Sequence, residues 1–257
     1  MIKLAAFDVD GTIRDNDFLP LSTKRAIRRL QDNGITVALC TGRSESEMKL
    51  LRAELDIDWA ITCNGNHIGY QGATRFGQAF SEAEVGNWIR ESEAANHCIV
   101  LYGAEEMWIN RADDTWFRQA QRDIGFARPL PLPDNNKLPA IYQCIVFCDE
   151  TEEHRYIDRE RDDYYLHRFR PYAFDINPRG TNKAVALLQL LDSLGVKPEE
   201  AAAFGDGLND IQMLAAVGCG VAMGNGIDAA KQAAKYVTKA LIDDGVEYAV
   251  NTWIIPE

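Results

Sequence analysis

The sequence predicts an α/β fold: a doubly wound, Rossmann-like parallel-sheet core interrupted by an inserted α+β cap domain. Three observations carry this expectation. At both ends of the chain, short apolar runs alternate with amphipathic stretches, the rhythm of a parallel sheet with helices on its faces. Three of those runs lead straight into polar clusters, at 8–12, 41–43 and 205–210. Between the two α/β stretches the pattern becomes strand-rich and antiparallel.

Residues 3–7 are an apolar run that reads as a buried strand and meets Asp8-Val9-Asp10-Gly11-Thr12. Ser22 reads as the cap of a helix with Ala26, Ile27 and Leu30 on one face, and Gly34 as its stop. Strands are expected at 35–40 and 59–63, with a helix from Ser44 to about Leu55 between them. Residues 67–72 and 73–80 then read as a hairpin leaving the sheet. The middle segment predicts helices at 82–95, 114–123 and 152–161. Its strands fall at 98–102, 107–110, 141–147, 164–169 and 172–176. Pro129, Pro131 and Pro133 suggest a stiff loop. From Thr181 the first rhythm returns, with a helix at 182–194, a strand at 201–204 and the cluster Gly205-Asp206-Gly207-Leu208-Asn209-Asp210. Further strands are expected at 220–223 and 236–238, each followed by a helix. The division is therefore core at 1–80 and 179–257, and cap at 81–178.

The chain has 257 residues, enough for two domains, and its 46% apolar and 26% charged composition is that of a globular protein. A net charge of −12 argues against a nucleic-acid surface, which needs a basic face. Six cysteines without a CxxC pair read as free thiols in a reducing cytoplasm. The start, MIKLAAFDVDGT, lacks the pattern of a secretory leader, and no apolar stretch approaches the ~18 residues of a membrane span.

In an open α/β sheet, ligands bind beyond the carboxyl ends of the strands, so the three polar clusters are expected to meet at one edge. That edge gathers Asp8, Asp10, Asp206 and Asp210. Two carboxylates ~4 Å apart repel by about 4 kcal/mol at an effective dielectric of ~20. A hard divalent cation removes the conflict, and Mg²⁺ suits carboxylates, a carbonyl and a phosphate oxygen. Lys183, with donors from Thr41 and Gly42 at a helix N-terminus, would complete an anion site. Asp8 is then placed to attack phosphorus, and Asp10 to protonate the leaving oxygen and afterwards activate water. Gly11 permits a sharp turn, and Thr12 is expected to hold Asp10 by a hydrogen bond.

Taken together, DVDGT, Thr41-Gly42-Arg43, Lys183 and GDGLND resemble the haloacid dehalogenase-like phosphohydrolases. The position of the insert, Asn64-Gly65 and 175–178 resemble the Cof-type branch with a large α/β cap. The resemblance implies that Asp8 is nucleophile and metal ligand, and that Asp10 is acid/base and binds metal through its carbonyl. It implies Asp206 as a further Mg²⁺ ligand and Asp210 as a support of the metal site. Val9, Thr41, Gly42, Lys183 and Asn209 would bind the transferred phosphoryl group. The implied substrate is a small phosphomonoester: a sugar phosphate, nucleotide or phosphorylated cofactor. Arg14 and Thr181-Asn182 depart from the family pattern without touching this set.

Alternative readings are weaker. A calcium loop would have its glycine at position six, and here it is at position four. A dinucleotide fingerprint fails because Asp210 occupies the third glycine position. A phosphotransferase would share every catalytic residue, and a ligand sensor need not retain a nucleophile. Cys40 reads as a buried strand thiol and His67 as a hairpin residue. Trp108, Trp116, Arg111, Arg168 and Arg170 belong to the cap without an assigned role.

Overall fold

The computed structural model of the chain describes residues 1–125, 128–133, 137–156 and 163–256. Strand β1 (Leu4–Phe7) is followed by α1 (Leu21–Asp32), β2 (Thr36–Cys40), α2 (Glu45–Leu55) and β3 (Trp59–Thr62). A hairpin of β4 (His67–Tyr70) and β5 (Ala73–Gly77) comes next. The middle segment holds α3 (Glu82–Ala94), β6 (Cys98–Tyr102), β7 (Met107–Ile109) and α4 (Thr115–Ile124). It continues with β8 (Leu130–Pro131), β9 (Gln143–Phe147), β10 (Tyr164–Arg170) and β11 (Ala173–Pro178). The chain then adds α5 (Lys183–Ser193), β12 (Ala201–Gly205), α6 (Ile211–Ala216) and β13 (Cys219–Ala222). It closes with α7 (Asp228–Ala233), β14 (Tyr236–Val237) and α8 (Gly245–Ala249).

Two sheets result. The first has the order β14-β13-β12-β1-β2-β3-β4-β5, and the second β10-β11-β9-β6-β7-β8. From β14 to β3 the first sheet is parallel throughout. The chain moves outward from β1 through β2 to β3, and later returns at β12 on the other side of β1. The crevice between β1 and β12 is thus the switch point of the winding, where such sheets bind ligands.

Strand β1 is fully buried because both sheet faces are covered. Ala5 and Phe7 join one apolar cluster with Ile27 and Leu30 of α1 and Met48 of α2. Leu4 and Ala6 join another with Leu187 and Leu190 of α5 and Met213 of α6. Phe7 and Phe204 stack at 4.4 Å, locking β1 to β12 directly beneath the crevice. The second sheet has its own pair of cores, one holding Val85 and Ile89 of α3 and the other Phe117 and Ala120 of α4.

Two helix starts follow the capping-box pattern Ser-x-x-Glu. Ser44 with Glu47 and Ser81 with Glu84 satisfy the first amides of α2 and α3 reciprocally. Ser22 is different. Helix α1 begins earlier, after Pro20, and Ser22 is a buried residue inside it whose Oγ has no partner among the described residues. The β4–β5 hairpin does not leave the sheet: β4 pairs antiparallel with β3 and extends it. The helix expected at 152–161 is a 3-10 turn at Glu150–Arg155 that ends at Tyr156, and 157–161 lie outside the described residues. The proline loop contains β8, which pairs with β7 at the sheet edge, where a missing N–H is tolerated.

Candidate active site

Asp8 directly follows β1 and lies buried in the crevice, at 6% exposure. Lys183, the first residue of α5, is 1% exposed and reaches across to it. Its Nζ donates to Asp8 Oδ1 at 2.6 Å and to Asp210 Oδ1 at 2.7 Å. Asp210 Oδ2 accepts from the backbone amides of Asp206 and Gly207, both at 2.9 Å. Asp8, Asp206 and Asp210 bring their carboxylate oxygens within 4.8 Å of one another.

The electrostatics follow from this packing. Burial raises the Asp8 pKa well above the usual carboxylate range, Asp210 raises it further, and Lys183 opposes both. Asp206 is also raised, by burial first and by Asp210 second. Burial alone would lower Lys183, but Asp210 and Asp8 outweigh it and hold the ammonium charged. Three carboxylates therefore face one cation. An all-oxygen donor set with excess negative charge fits a hard divalent ion.

The backbone after β1 turns sharply. The Val9 carbonyl accepts from the amides of Thr12, Ile13 and Arg14 at 3.3, 3.0 and 3.1 Å. Gly11 sits at φ +90°, and a Cβ there would collide with the Asp206 carboxylate. Thr12 is buried, but its partner is not Asp10: its Oγ1 donates to Asp206 Oδ1 at 3.0 Å. Asp10 is held instead by Arg43, whose Nε and Nη2 lie 2.6 and 2.9 Å from its two oxygens. This fork-on-fork pairing engages both oxygens of the Asp10 carboxylate.

Thr41 and Gly42 follow β2 but precede α2, whose cap is Ser44, so they form a loop rather than the helix N-terminus expected. The Thr41 N–H is committed to the Ile61 carbonyl at 2.8 Å, and its buried hydroxyl accepts from the Arg43 amide at 3.1 Å. Gly42 packs so closely on Asn64 that an added Cβ would sit 3.0 Å from Asn64 Oδ1. The same oxygen accepts from Asn209 Nδ2 at 3.0 Å. The structure thus gathers Asp8, Asp10, Thr41, Gly42, Asp206, Asn209 and Asp210 around one cavity of about 540 Å³. Lys183 reaches it through its bond to Asp8.

The opposite wall comes from the second sheet, through Tyr102, Gln143, His167, Arg170 and Asp175. Sequence reasoning assigned none of these to the site; Arg170 was placed in the cap without a role, and Asp175 only in a stretch that resembles the Cof-type branch. The alternation of His167, Phe169 and Asp175 on adjacent strands places them on one face, but only the pairing register shows which face meets the core. Arg168 is engaged by Glu153, and Arg111 by Asn96. Cys40 is a buried thiol near the Lys183 carbonyl, with a pKa raised chiefly by burial. His67 lies away from the cavity, between Thr62 and Thr74.

Fold and relatives together define the class as a phosphoric monoester hydrolase. A sequence model of the haloacid dehalogenase-like hydrolases matches residues 5–250. The chain belongs to that family. It is 32% identical to YkrA of Bacillus subtilis over 254 residues, covering 97% of this chain and 96% of that one. It is 29% identical over 261 residues to the 5-amino-6-(5-phospho-D-ribitylamino)uracil phosphatase YcsE of Bacillus subtilis, covering 99% and 96%. A protein of Geobacillus kaustophilus with a known crystal structure is similar at 34% identity and a TM-score of 0.89, over 98% of each chain.

Proposed function

We propose that the chain is a Mg²⁺-dependent phosphatase that hydrolyses a small phosphomonoester through a phospho-aspartate on Asp8. The observation that carries this reading is the buried Asp8 carboxylate, held on Lys183 at 2.6 Å in a cavity large enough for a small metabolite. In the first step an Asp8 oxygen bonds to phosphorus as the bond from phosphorus to the leaving oxygen breaks. Asp10, released from Arg43, takes up a proton and gives it to that oxygen. In the second step water attacks the phospho-aspartate, Asp10 takes the water proton, and inorganic phosphate leaves. Lys183, the Thr41 hydroxyl, the backbone of Val9 and Gly42, and Asn209 bind the phosphoryl oxygens throughout.

Asp8, Asp206 and the Asp10 carbonyl would hold the Mg²⁺, with Asp210 fixing the loop that carries Asp206. When bound, the ion supplies positive charge that offsets the repulsion between the Asp8 carboxylate and a phosphate dianion. In this reading, residues 81–178 form a cap that excludes bulk water and meets the leaving group, and 1–80 with 179–257 form the catalytic core. The named activity of YcsE supports a small phosphorylated metabolite as substrate, and free cysteines support a cytoplasmic setting.

The test is phosphate release from 4-nitrophenyl phosphate, with Mg²⁺ or with EDTA, for wild type and Asp8→Asn. We expect Mg²⁺-dependent turnover that falls at least ~1000-fold in the variant, in line with losing a covalent nucleophile. Turnover surviving in Asp8→Asn refutes the phospho-aspartate route.

A further inference from the structure

His167 on β10 stands opposite Asp175 on β11 in the sheet register. Its Nδ1 lies 3.4 Å from Asp175 Oδ2. Asp175 is buried, and the same oxygen accepts from Asn64 Nδ2 at 3.2 Å. Asn64 accepts in turn from Asn209. A continuous hydrogen-bonded path therefore runs from the cap sheet to the loop that carries Asp206 and Asp210. Asp175 fixes one edge of the imidazole, and Nε2 has no partner among the described residues. The His167 side chain is 30% exposed and lines the main cavity. It also lines a second cavity of about 440 Å³, bounded by Tyr165, Thr181 and Lys183. His167 thus stands where the two spaces adjoin.

We propose that His167, oriented by Asp175, is a specificity-determining residue that reads a hydroxyl of the leaving group. This rests on the phosphatase reading above. With Nδ1 committed to Asp175, Nε2 accepts a hydrogen bond when the ring is neutral and donates one when it is charged. A hydroxyl both gives and takes, so it satisfies Nε2 in either state. An aryl or alkyl leaving group desolvates Nε2 without pairing it, which costs roughly ten- to a hundredfold in affinity. Asp15 and Asp123 line the same cavity and repel a second anionic group, an effect that Arg170 in the same lining partly offsets. Gln143 adds to the preference. It lines the same wall, is 1% exposed, and its Oε1 has no partner among the described residues, leaving an acceptor that suits a hydroxyl.

The experiment compares kcat/KM for ribose 5-phosphate, phenyl phosphate and 3-phosphoglycerate in wild type, His167→Leu and His167→Gln. Thermal melts confirm folding of each variant. Wild type is expected to favour the sugar phosphate at least ~10-fold over both other esters. His167→Leu is expected to lower that ratio at least ~10-fold, mainly through KM, and His167→Gln, which keeps a donor and an acceptor, to restore part of it. A ratio unchanged in His167→Leu overturns the inference, as does an equal loss on all three esters. If wild type hydrolyses none of them and 4-nitrophenyl phosphate is not hydrolysed either, the phosphatase reading fails instead. Calorimetric binding of ribose 5-phosphate then decides: weaker binding to His167→Leu sustains the role of His167, and equal binding removes it.

Discussion

Lys183 shows what a single residue does in this molecule. An ammonium at 1% exposure is tolerated because two carboxylates meet it within hydrogen-bond distance. Removing the cation leaves both carboxylates without their counter-charge, Asp210 keeping only the amides of Asp206 and Gly207. Lys183→Met is therefore expected to destabilise the metal-free protein by about 3–5 kcal/mol. Adding Asp210→Asn to that variant is expected to recover part of the loss, because one of the stranded charges is gone. Urea titrations of both variants check this, and a single variant as stable as wild type contradicts it. At this scale the sequence was informative where the signal was local: each polar cluster abuts an apolar run, and a sheet edge is the natural meeting place. It was uninformative where the partner is remote. Thr12 and Asp206 are 194 residues apart, and only the β1–β12 pairing brings them together. The Asp10–Arg43 fork was hidden for the same reason, since the two residues end different strands.

Among the elements, the edge hairpin is held by a buried polar bridge. His67 on β4 sits between Thr62 at the end of β3 and Thr74 on β5, at 2.9 and 3.0 Å, with Tyr142 against its ring. Burial pushes its pKa down to about 4. A depressed histidine must be neutral in the fold, so its contribution is complete above the ordinary value near 6.5 and is lost as pH falls towards 4. The gap corresponds to about 3 kcal/mol. His67→Gln keeps the hydrogen-bonding shape without the titration. Its stability is expected to fall less steeply than that of wild type between pH 6.5 and 4, and parallel curves would discount the effect. The helices that start at Ser44 and Ser81 were legible because a capping box is written in four consecutive residues. Ser22 misled because Pro20 had already opened α1 two residues upstream. The hairpin was legible as a hairpin, but its attachment to β3 was not, since pairing is a property of two segments rather than one.

At the scale of the whole molecule, a metal ion held in the acidic crevice would couple stability to proton binding. Asp8 and Asp206 have raised pKa values, so without a cation the fold is favoured by their protonation. That contribution is present below the ordinary carboxylate value and fades as pH rises through the raised ones. A divalent ion replaces the protons, so its effect should grow with pH. Mg²⁺ at a hundred times its dissociation constant contributes about 2.7 kcal/mol, or roughly 5–10 °C in Tm for a chain of this size. We expect that rise at pH 8 and a clearly smaller one at pH 5, and equal shifts at both would rule the coupling out. The insertion itself was visible in the sequence as a change of rhythm, whereas the residues of the cap that face the core were not. His167 and Gln143 reach the cavity only through the register of a sheet whose neighbouring strands lie far apart along the chain. That order of strands also governs how the protein is made. Strand β1 is the fourth residue to the seventh, yet one of its two neighbours, β12, begins at residue 201. While the ribosome works through the intervening chain, β1 has an unpaired edge and Asp8 has neither Lys183 nor Asp206 beside it. The nascent protein therefore carries an incomplete sheet edge for most of its synthesis, and the surroundings of Asp8 are assembled only in the last quarter of translation.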